Sequence, residues 1–204
     1  MNKMILSLLL ALLTAFILSS CDQGPVTDEE TYPTLPSIQQ NKTPLELLTE
    51  AIEKTKNAAA FTVRYGQIAK SGDETAGETF TQSVSADQPF DTDALYADVP
   101  DFPTNEGLLS DFCALPLRAI PSNDGTIRYV LSELTVEELN ALIYGQSTAV
   151  PEYSEYAQVV CTAAMVVNAD GYFIELEFTV ELYSPADQIE RIVTIFLSLS
   201  EIEV

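Results

Sequence analysis

From Ile174 to Leu182 the chain alternates without a break: Ile174, Leu176, Phe178, Val180 and Leu182 fall on one side, and Glu175, Glu177, Thr179 and Glu181 on the other. A period of two sends successive side chains to opposite faces of a strand, so this segment needs a core on one face and water on the other. That is the pattern of an antiparallel sheet solvated on one side. Its neighbours agree. Asn168-Ala169-Asp170-Gly171 reads as a hairpin connection, with Gly171 suited to the left-handed position, after a strand over residues 157–167 that is apolar on both faces in places. Beyond a turn at Ser184-Pro185-Ala186-Asp187, a run from Ile189 to Leu199 keeps Val193, Ile195, Leu197 and Leu199 in phase. Ile192 and Phe196 lie on its other face, which should therefore be partly covered. Ile202 and Val204 fall out of phase, predicting a bulge near Ser200 or a frayed tail.

Two helices are announced by their caps. Thr43-Pro44-Leu45-Glu46 is a capping box with proline at the first helical position, and Leu45, Leu48, Ile52 and Ala59 follow on one face. Thr135-Val136-Glu137-Glu138 is a second box, with Leu134 placed to staple onto Leu139 and Gly145 placed to stop the helix. Between the boxes, Phe61 to Ile68, Thr79 to Val84 and Thr126 to Leu131 read as strands, with turns at Ser71-Gly72-Asp73-Glu74 and Asp124-Gly125. Residues 85–111 hold seven acids, no base, and Pro89, Pro100 and Pro103, which predicts a long solvated loop with short helical turns. Asp91-Thr92-Asp93 and Asp98 could offer oxygen ligands to calcium, but the spacing and central glycine of an EF-hand loop are missing. The expected fold is α+β: a curved antiparallel sheet of at least five strands, a half-open barrel, covered by an N-terminal amphipathic helix and a short inserted helix.

Charge narrows the chemistry. Nine Lys and Arg stand against 31 Asp and Glu, the net charge is -22, and there is no histidine. Histidine-based triads and His-ligated metal or haem sites are excluded, and no basic face is available for nucleic acid. Glu175 and Glu177 are the best carboxylate pair, but they lie on the solvated side, where nothing raises either toward neutrality. No enzyme, cofactor or metal is expected. Three cysteines occur, Cys21, Cys113 and Cys161. Outside the cytoplasm Cys113 and Cys161 could form one bridge; the alternative is a pair of buried free thiols.

The N-terminus supplies the setting. Asn2-Lys3 precedes an apolar run from Met4 to Leu18, then Ser19, Ser20 and Cys21. The run is short for a membrane span, which needs about 20 residues, and has the flanks of a secretory signal. Leu18-Ser19-Ser20-Cys21 resembles the lipobox of bacterial lipoproteins. That resemblance implies a thioether-linked diacylglycerol on Cys21, cleavage before it, and a lipid-anchored protein (the palmitate-bearing class) on the extracytoplasmic face of the cell membrane. An acidic body is repelled by anionic lipid, so a covalent anchor is the one that fits. Residues 1–20 are then signal, 21–42 a flexible tether rich in Pro, Gln and acids, and 43–204 one domain.

The order of tether, amphipathic helix, curved sheet, inserted helix and closing hairpin is similar to lipoproteins of the LolA and LppX-like class. Thr43 to Gly66, Leu134 to Gly145 and Gly171 to Val180 resemble segments of small Firmicutes lipoproteins of uncharacterised function in that class. The class implies an apolar cavity between sheet and helices. Arg64 matches no functional arginine of the carriers securely. Two functions compete: binding a lipid or other amphiphile in such a cavity, or docking another envelope protein through an acidic or sheet-edge surface. The two-sided apolar stretches Val159–Val167 and Ile192–Phe196, with Phe61, Phe80 and Phe178, favour the first. An apolar volume of about 300 Å³ or more would support it, and a filled interior the second.

Overall fold

The computed structural model describes residues 42–145, 156, 158–184 and 189–204. The lipobox, most of the tether and most of the Ser184–Asp187 turn lie outside the described residues. Seven strands, β1 (Ala60–Ser71), β2 (Glu74–Ser85), β3 (Arg118–Pro121), β4 (Ile127–Leu134), β5 (Gln158–Val167), β6 (Phe173–Tyr183) and β7 (Ile189–Glu203), form one antiparallel sheet in the order β2-β1-β7-β6-β5-β4-β3. The sheet is open, because the edge strands β2 and β3 each pair with one neighbour. Among the described residues four helices accompany it: α1 (Pro44–Lys56), α2 (Thr92–Asp98), α3 (Leu108–Ala114) and α4 (Val136–Tyr144).

Period-two patterning fixes the inner face. Val63 and Tyr65 of β1, Leu197 of β7, Leu176 and Phe178 of β6, and Met165 of β5 stand in register across it and are buried. The out-of-phase end of β7 is a bulge: Thr62 pairs with Ser200 while Ala60 pairs with Glu203, and Glu201 takes φ 53. A second bulge corrects the reading of β6. Val166 pairs with Glu175 but Val167 with Phe173, so Phe173 rather than Ile174 joins the inner face.

Both capping boxes form as expected, and each Glu side chain returns to its N-cap amide. These bonds to Thr43 and Thr135 hold the carboxyls of Glu46 and Glu138 below the usual carboxylate range. On α1 the buried stripe is Leu48, Ala51 and Thr55, with Leu45 and Ile52 at its flanks and Ala59 exposed. The helix is therefore rotated from the predicted face.

Residues 85–111 depart most from expectation. Instead of a solvated loop they carry α2 and the start of α3, and bury Phe90, Leu95, Val99, Phe102, Leu108 and Leu109 as a layer over the sheet. The acids are spent locally: Asp91 caps α2 through the Ala94 amide, and Asp98 accepts the Tyr65 hydroxyl at 2.8 Å. Among the described residues no three acidic or thiol groups converge as a cation site. Asn105 joins α3 to α4. Its Nδ2 donates to the Leu142 carbonyl at 3.0 Å and to Asp111, and its Oδ1 accepts the Gly107 amide at 2.8 Å. Gly145 ends α4 at φ 69, where a Cβ would lie 2.8 Å from that same Oδ1, so both conformation and space demand glycine.

Candidate functional site

Helix α1 crosses the inner face without filling the space beneath it. Its C-terminal turn is tied down by polar bonds: the Thr55 hydroxyl accepts the Phe173 amide at 2.9 Å and donates to the Ala51 carbonyl. Lys54 donates to the Asp170 carbonyl and lies 4.3 Å from the centre of the Tyr172 ring. The Ala59 amide donates to the Glu203 carbonyl at 2.8 Å, which anchors the helix exit to the end of β7.

Under this bridge runs a cavity of about 120 Å³. Its floor is Val63, Leu197, Leu199, Leu176 and Met165 of the sheet; Phe102, Leu108 and Leu109 form its inner wall, and Ile52 and Lys56 its roof. The residues toward one end, Ile52, Lys56, Phe61 and Leu199, are half-buried, whereas Val63, Phe102, Leu108 and Met165 are buried, so the slot opens beside the end of α1 and narrows inward. Among the described residues Lys56 is the one charged side chain lining it. Its stem lies along the roof with 14% of the side chain exposed, and its ammonium reaches Glu53 at 2.8 Å. A dry cavity of about 150 Å³ lined by Leu, Ile and Phe accepts one benzene, so this slot suits one slender apolar group. It is smaller than the roughly 300 Å³ expected of a general ligand pocket.

A broader depression of about 590 Å³ lies at the β1–β2 hairpin tip, between Lys70, Glu74, Glu190 and Arg191. It is open and mixed in polarity.

The sequence singled out other residues, and most do other work. The outer-face apolar residues of β5 do not line the slot. Arg128 of β4 reaches Glu175 at 2.8 Å and Glu177 at 3.1 Å on β6, so its side chain crosses β5, where Ala164 and Val166 are buried. The carboxylate pair is thus an arginine clamp. Arg64 stands 5.6 Å from the Phe196 ring centre and covers that exposed-side aromatic. Phe80 stacks on Tyr65, and Phe178 is core; Phe61 alone of the three lines the slot.

The bridge considered between Cys113 and Cys161 is not formed; both are free thiols. Cys113 lies on α3 near Tyr129, whose partner on β5 is Met165, while Cys161 sits about 13 Å farther along that strand, opposite Leu134. Burial pushes Cys113 up to about 12 and Cys161 up to about 11, so both stay protonated at neutral pH and neither is a nucleophile. Cys21 lies outside the described residues.

Lys56 and the Leu108–Leu109 pair were missed by sequence reasoning, whereas Met165 falls in the Val159–Val167 stretch that it singled out. The spacing of Leu108, Leu109 and Phe112 was a helical signal hidden among acids and prolines. No protein-family model matches the chain, and no curated protein matches it.

Proposed function

We propose that this is a lipoprotein held by lipidated Cys21 on the extracytoplasmic face of the membrane, whose domain binds the apolar chain of an amphiphile under α1. The observation that carries the binding reading is the slot, lined almost wholly by apolar side chains and roofed by a helix held with polar ties. The curved, half-open barrel architecture of the LolA-like class suits such a slot. Its size narrows the ligand to a single alkyl chain. A covalent anchor with at least two acyl chains keeps the opening near the lipid surface from which such a chain would come.

Full-length protein extracted from bacterial membranes should retain single-chain lipid in native mass spectrometry, beyond the mass of its own anchor. Leu197→Trp, which fills the slot floor, should remove that adduct. A folded wild-type protein that never carries one overturns the reading. Cys21→Ser should abolish acyl labelling and release the protein from membranes; unchanged membrane retention without label would overturn the anchor.

Docking of an envelope protein is the second reading, and one observation favours it: β2 presents a 12-residue edge with no partner strand among the described residues. The Asp91, Asp93 and Asp98 patch no longer supports it, since Asp91 and Asp98 are committed within the fold.

A further inference from the structure

We infer that the occupant of the slot carries an anionic head, a carboxylate on a single alkyl chain, and that Lys56 is the group that meets it. The inference rests on the binding reading above and adds the chemistry of the head. Apart from Thr55, whose hydroxyl is already bonded to the Ala51 carbonyl and the Phe173 amide, the described residues that line the slot inside its rim are apolar, so an entering alkyl chain meets a hydrocarbon wall. Only at its half-buried end does a charge occur, and that charge is positive in a chain whose net charge is -22. A single cation among so many acids marks the one place along the slot where a carboxylate is not repelled.

The geometry leaves Lys56 free to act. The stem lies on the apolar roof and the ammonium emerges at the rim, the usual disposition of a lysine that bridges apolar surface and water. An ammonium has three donors, and the bond to Glu53 uses one. Glu53 is the more exposed partner, at 51% against 14%, so it can swing toward water while Lys56 stays in place. Lys54, two residues earlier, is already committed to Asp170 and Tyr172 and does not line the slot. A neutral or cationic head would gain nothing from the rim ammonium beyond its existing bond to Glu53, and a second chain exceeds the space.

The test uses full-length protein carrying Cys21→Ser, so that no acyl group of its own competes. Two photoreactive probes of equal chain length are applied, an alkyl carboxylate and the matching alkyl alcohol, and crosslinked peptides are mapped by mass spectrometry. The carboxylate should label peptides containing Leu108–Leu109, Met165 or Leu197–Leu199 at about tenfold lower concentration than the alcohol, the span of one charge-assisted hydrogen bond. Lys56→Met, which keeps the apolar stem, should erase that preference, so that both probes label the slot at the same concentration, and Lys56→Arg should restore it. Equal slot labelling by both probes, or a preference that survives Lys56→Met, overturns the role of Lys56 and leaves the slot reading standing. Labelling that misses the slot with both probes overturns the slot reading itself.

Discussion

Helices α1 and α4 begin with the same Thr-x-x-Glu box and end in different worlds. Helix α4 is 9 residues long, buries Leu139, Leu142 and Ile143 against β4 and β5, and stops on a glycine whose place is fixed by Asn105. Helix α1 is 13 residues long, and its last turn is fastened through Thr55 and Lys54 to the β5–β6 hairpin. One is held by packing. The other packs Leu48 and Ala51 but is fastened by polar bonds at its C-terminal end, beside which space persists. Equal local instructions therefore give unequal helices, because the surface beneath decides how each is retained.

The contrast is strongest for truncations. Leu142→Ala in α4 should cost about 2–5 kcal/mol, because the side chain is 2% exposed and a cavity would remain. Ile52→Ala, over a slot that already exists, should cost about 1 kcal/mol. Urea midpoints followed by circular dichroism compare the two, and equal losses would erase the distinction.

Alkaline pH should separate the regions next. Cys113 titrates near 12 when folded, above the ordinary 9.0, so its contribution is full below pH 9 and is lost as pH rises toward 12. Cys113→Ala should flatten the fall in urea midpoint over that window.

Thr55→Val probes the tie itself. It keeps the shape and strands the Phe173 amide, at a cost of about 1–3 kcal/mol. Hydrogen exchange should quicken at Phe173 and along α1 while α4 stays protected. Smaller still, Thr43→Ala and Thr135→Ala should each cost about 1 kcal/mol and add in the double variant. Since Glu46 and Glu138 titrate below their ordinary value of 4.5, both caps contribute fully above it and fade together as pH falls through the lowered values.

Much of this was legible in the residues. The capping boxes, the Gly171 turn (φ 79) and the bulge near Ser200 all express local rules, and each stands where the sequence predicts it; the alternation of β6 holds at Leu176, Phe178 and Leu182, but Ile174 leaves the inner face and Thr179 is buried. What escaped was non-local. β3 is four residues long and shows no period; it exists because β4 offers an edge. Nothing local shows that the Thr55 hydroxyl will take the Phe173 amide, and the Phe173 bulge is itself invisible in a clean alternation. A cavity of about 300 Å³ or more was one of two expectations, the other a filled interior, and the slot of about 120 Å³ falls between them, since its volume depends on how far α1 is propped from the sheet.

The strand order carries a last consequence for how the protein is made. β1, near the start of the folded part, is joined in mid-sheet to β7, the final strand, with Tyr65 opposite Leu197. A chain emerging from its N-terminal end must therefore keep the first hairpin waiting, one long edge unmated, until the last residues arrive. Assembly of the sheet should follow completion of synthesis rather than accompany it, and the interval is when the chain most needs shielding from aggregation.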